Sequence, residues 1–145
     1  VGNIENDLNP VISKYLGNKN INYFKSQKQT ELNKFYNMSN VFVTCSVEEG
    51  LSMVQIQAMA CGLPVICTPN SGGEEIVKDN YDGFILPIRR IDQLKNKISY
   101  LYNNRKICKQ MGKNAKLKSQ NFFTWEIYGK KVVENYLSIL KKKNK

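Results

Sequence analysis

The sequence predicts an α/β fold: a doubly wound parallel sheet with helices on both faces, followed by further C-terminal helices. Three observations carry that prediction. Val41–Cys45 and Val65–Cys67 are short, β-branched apolar runs that read as strands buried on both faces, the parallel-sheet pattern. Segments of helical periodicity separate and follow them, so strand and helix alternate along the chain. The length of 145 residues suits one domain, residues 1–145, with a genuine hydrophobic core.

Each element has its own signal. Val1-Gly2-Asn3 reads as a strand end and turn, and a start at Val1 without Met reads as a fragment. Leu8, Val11, Ile12, Tyr15 and Leu16 then follow helical spacing, with Asn6 or Asp7 to cap the start, Pro10 in the first turn and Gly17 at the end. Ile21 to Phe24 reads as a short strand. Thr30 is expected to cap a second helix, with Leu32, Phe35 and Tyr36 on its inner face. After the strand at Val41–Cys45, a polar turn leads into a helix from about Ser52 to Cys61, stopped by Gly62 and Pro64. The strand Val65–Cys67 runs into a turn, Thr68 to Gly73, and a short helix, Glu74 to Lys78. Asp82-Gly83 turns into a last strand, Phe84 to Leu86. Three helices finish the chain: Asp92 to Tyr102, Arg105 to Ser119, and one capped by Thr124 whose face is marked by Trp125, Tyr128, Val132, Tyr136 and Leu140.

Composition excludes several classes. An apolar content of 41 % rules out wholesale disorder. The longest apolar runs fall far short of the roughly 20 residues that span a bilayer. Lys and Arg number 22 against 12 Asp and Glu, a net charge of +10 that favours anionic partners such as phosphorylated metabolites or anionic lipid. No stacking platform of aromatics is visible, so nucleic acid is not among the expected partners. The chain lacks histidine, and its four cysteines, Cys45, Cys61, Cys67 and Cys108, show no CxxC spacing, so no metal site is expected. Three of them lie inside apolar runs, which reads as free, buried thiols in a reducing cytoplasm.

In a doubly wound sheet, ligands bind beyond the carboxyl ends of the strands. Two turns there are chemically loaded. Ser46-Val-Glu-Glu-Gly-Leu-Ser-Met-Val54 ends at a helix N-terminus, where the N–H groups of Gly50 to Met53 would be first-turn donors backed by the helix dipole. Local sequence fits equally a plain strand-to-helix connection with Ser52 as its cap. Asn70-Ser71-Gly72-Gly73-Glu74-Glu75 could expose successive N–H groups to an anion, or could be a tight turn before a helix. Neither turn matches the GxGxxG or Walker patterns.

The block Glu49-Gly-Leu-Ser-Met-Val-Gln-Ile-Gln-Ala-Met-Ala-Cys-Gly-Leu-Pro-Val-Ile66, with Ser71-Gly-Gly-Glu-Glu-Ile-Val77 and Asp82-Gly-Phe-Ile-Leu86, resembles the family-4 glycosyltransferases. Val1-Gly2, Glu31-Leu32 with Phe35-Tyr36, and Phe123-Thr124-Trp125 extend the resemblance over nearly the whole chain. It implies the C-terminal, Rossmann-like, nucleotide-sugar-binding domain of a retaining two-domain enzyme of the GT-B fold, lacking its first strand–helix unit.

By that resemblance Glu49 accepts hydrogen bonds from the donor sugar's hydroxyls, and Gly50, Leu51, Ser52 and Met53 supply backbone donors to sugar and pyrophosphate. Val54 packs near the nucleoside, and Phe24-Lys25-Ser26 frames the base through its backbone. The family carries Glu where this chain has Gln57, so the ribose contact loses its charge assistance. The donor is implied to be a UDP- or GDP-hexose, with no metal or other cofactor. The acceptor, a saccharide or lipid-linked saccharide, is implied to bind an N-terminal domain outside this chain, so the chain alone is expected to be inactive. A cytoplasmic protein docking peripherally on an anionic membrane through Lys141–Lys143 fits this picture. Two rival readings share the fold: a nucleotide-sugar epimerase, and a non-catalytic binding or scaffold domain.

Overall fold

The computed structural model describes residues 1–4 and 8–143, which fall into two compact units, Val1–Phe35 and Tyr36–Lys145. In the first unit, α1 (Asn9–Leu16) carries Pro10 in its first turn, where a missing N–H costs nothing, and Gly17 follows its last residue. The caps expected at Asn6 or Asp7 lie outside the described residues. Ile21–Phe24 is not a strand. Its backbone bonds are a local turn, from Ile21 N–H to Asn18 O at 2.9 Å, and a single longer reach, from Gly2 N–H to Phe24 O at 3.0 Å; the Tyr23 hydroxyl donates to Gly2 O at 2.9 Å. Residues 13–30 are all exposed, so no burial supports an extended ladder there, and the strand end read at Val1-Gly2 is likewise absent. Thr30 is not a helix cap but the centre of a 3₁₀ turn, Gln29–Glu31, that feeds α2 (Leu32–Asn37). Leu32, Phe35 and Tyr36 form its half-buried side as expected.

The second unit is built on three parallel strands in the order β1 (Phe42–Val43), β2 (Val65–Cys67), β3 (Gly83–Ile85). Phe42 pairs with Val65, and Ile66 with Phe84. α3 (Met53–Ala60) connects β1 to β2, and α4 (Gly73–Ile76) connects β2 to β3. α5 (Ile91–Asn103), α6 (Arg105–Phe122) and α7 (Trp125–Lys143) complete the chain.

Strand alternation divides the core in two. Val65 and Cys67 pack with Ile56 and Met59 of α3, Ile76 of α4 and Ala115 of α6. Ile66, on the opposite face, packs with Phe84, Leu101 of α5 and Met111 of α6. Helical residues therefore cover both faces of β2, and each large apolar side chain withdrawn from water contributes roughly 1.5–3 kcal/mol. β1 departs from the expectation of full burial: Val43 is 38 % exposed and Cys45 is exposed. Among the described residues it is the edge of this three-stranded sheet, with β2 as its strand neighbour. The four cysteines are free, Cys67 and Cys108 buried and Cys61 half-buried.

Between β3 and α6, Asp82 is fully buried; its Oδ1 accepts the Lys78 N–H at 2.7 Å, and Oδ2 lies 3.3 Å from Lys118 Nζ. Thr124 Oγ1 accepts the Ile127 N–H at 3.3 Å, the predicted cap of α7. The stripe on that helix is not inward-facing, however. Trp125, Tyr128, Tyr136 and Leu140 are exposed, and only Val132 is half-buried. Among the described residues no helix is long and apolar enough to cross a membrane.

The close approach of α6 to the turn after α3 depends on Gly112, where a Cβ would fall 2.1 Å from Gly62 O. Both partners are backbone, so neither can yield without shifting an element. Gly112→Ala is expected to destabilise the fold by about 1–3 kcal/mol, read as a lower denaturation midpoint with an unchanged slope.

Candidate functional site

The carboxyl ends of β1 and β2 release two loops that brace each other. Residues 44–52 leave β1 and enter α3; residues 68–72 leave β2 and enter α4. Thr68 Oγ1 donates to Ser46 O at 2.6 Å, and the Glu49 N–H donates to Asn70 O at 2.8 Å. Gly72 has φ of +69°, and a Cβ there would meet Leu51 Cδ1 at 3.0 Å and Leu51 Cα at 3.1 Å. Left-handed backbone and absence of a side chain together let the Gly50–Leu51 segment lie directly on the turn.

Glu49 is exposed, and its Oε2 accepts the Ser46 hydroxyl at 2.8 Å, which holds the carboxylate at the loop surface. Leu51, Met53 and Val54 are exposed beside it, at the N-terminus of α3. Of the four N–H groups from Gly50 to Met53, that of Ser52 is already engaged, donating to Ser71 O at 3.4 Å. Ser52 is not the side-chain cap foreseen as one reading. It occupies the N-cap position, yet its Oγ is buried and without a partner. Gln57 is half-buried on α3, where its Oε1 accepts the Tyr36 hydroxyl at 3.1 Å. Burial, with the Cys61 thiol beside it, raises the Tyr36 pKa, so the phenol stays protonated and able to donate.

Glu49 through Val54 and Gln57 thus belong to one loop-and-helix segment of the second unit. Lys25 and Ser26 belong to the first unit, where Lys25 O accepts from Gln27 Nε2 at 2.9 Å and the Ser26 N–H reaches Asn3 Oδ1 at 3.4 Å. Sequence reasoning missed Gln55, Thr68 and Tyr36, and it singled out the turn at Ser71 for its backbone N–H groups and not for Ser71 itself. Gln55 is fully buried, and its Nε2 donates both to Ser71 O at 2.9 Å and to Ser71 Oγ at 3.0 Å. Its signal was present: an amide at the third helical position, three residues after a Ser at the N-cap position. Among the described residues no group of three or more His, Cys, Asp or Glu is placed to hold a metal ion.

A parallel α/β unit with a carboxylate-bearing loop, a helix N-terminus and a glycine turn at its strand ends has the architecture of a doubly wound ligand-binding domain. The chain belongs to the glycosyl transferases group 1 family, whose model matches residues 1–118. An uncharacterised glycosyltransferase of Methanocaldococcus jannaschii is 38 % identical over 96 residues, covering 66 % of this chain and 27 % of that protein. The capsular polysaccharide biosynthesis glycosyltransferase CapM of Staphylococcus aureus is 32 % identical over 107 residues, covering 74 % and 28 %. The chain therefore spans little more than a quarter of the length of these two curated relatives. The fold matches that of Anabaena HepE in its complex with UDP-glucose, with a TM-score of 0.80 at 18 % identity over 91 % of this chain and 36 % of that one. Sucrose-phosphate synthase from Thermosynechococcus elongatus superposes with a TM-score of 0.83 at 24 % identity, over 93 % and 34 %. Both likenesses establish a Rossmann-like domain of the GT-B type.

Cys67 lies beneath the glycine turn, and a Cβ at Gly73 would fall 2.6 Å from its Sγ. Burial, followed by the charges of Asp79 and Asp82 and by Cys45, pushes its thiol up to about 12. The folded state thus favours the neutral thiol. Its contribution to stability is complete below the unfolded value of 9.0 and is lost as pH rises from there towards about 12. Chemical denaturation across that window should show a decline that is shallower in Cys67→Ala. Alkylation of the native protein should label the exposed Cys45 well before Cys67.

Proposed function

We propose that this chain is the donor-binding part of a larger two-domain enzyme that transfers a hexosyl group from a nucleotide-diphospho-sugar with retention of anomeric configuration. The observation that carries the reading is the Glu49–Met53 loop, braced on the Ser71–Gly73 turn and ending at the N-terminus of α3 beyond the strand ends. Departure of the nucleoside diphosphate is the difficult step. The N–H groups opening α3 and its dipole meet the charge that develops on the leaving diphosphate, without a metal ion. Glu49 orients the sugar through its hydroxyls and stabilises positive character at the anomeric carbon; it is a positioning group and not a nucleophile. Val54 packs beside the nucleoside, and Gln57 meets the ribose.

HepE, whose fold this chain shares, is described with UDP-glucose, which makes a uridine diphosphate hexose the first donor to test. CapM serves capsular polysaccharide biosynthesis, and a relative from Acholeplasma laidlawii, 25 % identical over 140 residues, is an alpha-monoglucosyldiacylglycerol synthase. A saccharide or lipid-linked acceptor, held by a further part of the polypeptide, fits both. The net charge of +10 suits docking of the enzyme on an anionic membrane surface.

Protein-observed NMR titration with UDP, GDP, ADP and their hexose conjugates tests the donor site directly. One nucleotide is expected to bind selectively and shift the Gly50–Met53 resonances; silence of the full-length protein across the panel would sink the reading. Glu49→Ala in the full-length enzyme should lower transfer at least about 100-fold with an unchanged melting temperature. Gln57→Glu should tighten nucleotide binding by roughly tenfold, the difference between a neutral and a charge-assisted hydrogen bond. Equal affinity would remove Gln57 from the ribose contact.

A further inference from the structure

The first turn of α3 carries the sequence of a capping box, Ser52-x-x-Gln55, in which the serine hydroxyl satisfies the third N–H and the glutamine side chain reaches back to the cap. The structure leaves that box open. Ser52 Oγ makes no capping bond, and the Gln55 N–H goes to Ser52 O instead, at 3.1 Å. The Gln55 amide turns away from its own helix and donates twice to Ser71, in the turn that leaves β2. This arrangement carries a cost. Ser52 Oγ and Gln55 Oε1 are both buried without partners. A buried polar atom with no hydrogen bond is a destabilising feature, and two stand within one helical turn.

What the open box supplies is a cross-link between the two loops of the site. Ser71 follows Asn70, whose carbonyl holds the Glu49 N–H, and precedes Gly72, on which Leu51 rests. Clamping Ser71 from inside α3 therefore fixes the ledge on which the Glu49 loop lies. We propose that Gln55 is a positioning residue: its buried amide latches the Ser71 turn and thereby sets the place of the Glu49 carboxylate relative to the N-terminus of α3. The role rests on the donor-site reading for its functional consequence and on the hydrogen bonds alone for its structural one.

The geometry separates positioning from stability. If Gln55 is replaced by methionine, of similar length and volume, Ser71 is not left without hydrogen bonds. Ser71 O keeps the Ser52 N–H, and Ser71 Oγ keeps its own bond to Thr68 O at 2.8 Å. The unpartnered Oε1 disappears with the amide. A residue that merely held the fold together would lose stability on this change; a latch would lose alignment only.

The test compares wild type with Gln55→Met, and with Gln55→Leu as a second apolar replacement, in the full-length protein. Four quantities are read: melting temperature, hydrogen exchange of the Glu49 amide, and kcat and KM for hexosyl transfer from UDP-glucose. The latch requires an unchanged or higher melting temperature and faster exchange at Glu49. It also requires a kcat lower by about 10- to 100-fold with little change in KM. A melting temperature that falls in step with activity in both variants would make Gln55 a structural residue and overturn the proposal. Glu49 exchange at the wild-type rate would overturn it too, whatever the activity. Faster exchange at Glu49 in a protein that binds no nucleotide sugar would uphold the latch and refute the donor site.

Discussion

The central strand Val65–Cys67 is the constraint on which the second unit depends. Its three residues are buried, and its pleat sends Val65 and Cys67 to one face and Ile66 to the other. A strand buried on both sides needs cover on both sides. α3 and α4 supply it for one face, α5 and α6 for the other, and Ala115 carries α6 across to the first cluster. The ladder also fixes β3, since a Cβ at Gly83 would lie 2.0 Å from Val65 O and the strands could not keep this register with any other residue there. Parallel pairing to β1 then brings the two loops of the candidate site out at the same end of the sheet. Burial of three residues thus decides where the Glu49 loop can be.

The loops themselves are held by polar contacts, and these do not follow the usual economy of a helix start. Ser52 and Gln55 could close a capping box within α3, yet the Gln55 side chain and the Ser52 N–H both bond Ser71. Local helix stability and the alignment of two loops compete for the same groups, and alignment prevails. Two buried polar atoms are left unpartnered as a result. Such concessions cluster where a structure must hold chemical groups in place, because a site optimised for alignment cannot also be optimised for folding.

Much of this was legible in the sequence, for identifiable reasons. Val65–Cys67 declares itself by continuous apolar β-branched residues between Pro64 and a polar turn. α3, α5 and α6 declare themselves by periodicity, and Thr124 by its position ahead of an apolar-periodic run. Reading fails where a residue's surroundings lie elsewhere in the chain. Val41–Cys45 has the composition of a buried strand, but burial depends on neighbours, and among the described residues β1 has a strand neighbour only on its β2 side. Ile21–Phe24 has strand propensity without the packing that would realise it. Trp125, Tyr128 and Tyr136 keep helical spacing while remaining exposed, since periodicity reports an amphipathic face and not what covers it. In the site, Glu49 and Gln57 stood out through a motif, whereas Gln55 and Tyr36 act through partners 16 and 21 residues away that no local pattern names.

Gln57 shows how a single departure from the family pattern is absorbed by its setting. A carboxylate at this position would be an acceptor at both oxygens, one of which would face the Tyr36 hydroxyl. The amide gives up one acceptor and gains two N–H donors, and its orientation is set by Tyr36, which as a protonated phenol donates to Oε1. That bond directs Nε2 to the amide's other side. Under the proposed reading, a ribose hydroxyl meeting Gln57 can accept from Nε2, or donate to the remaining lone pair of Oε1. Hydroxyls serve in both roles, so the contact changes polarity and loses strength without being deleted. Under the same reading, Glu49 does not admit that exchange. There the Ser46 hydroxyl could orient an amide as well as it does the carboxylate, but a neutral amide would supply no charge to stabilise the anomeric carbon. The proposed reading thus makes the two positions unequal in what they require. Gln57 would need a hydrogen-bonding edge, which Tyr36 can orient, and Glu49 would need the negative charge itself.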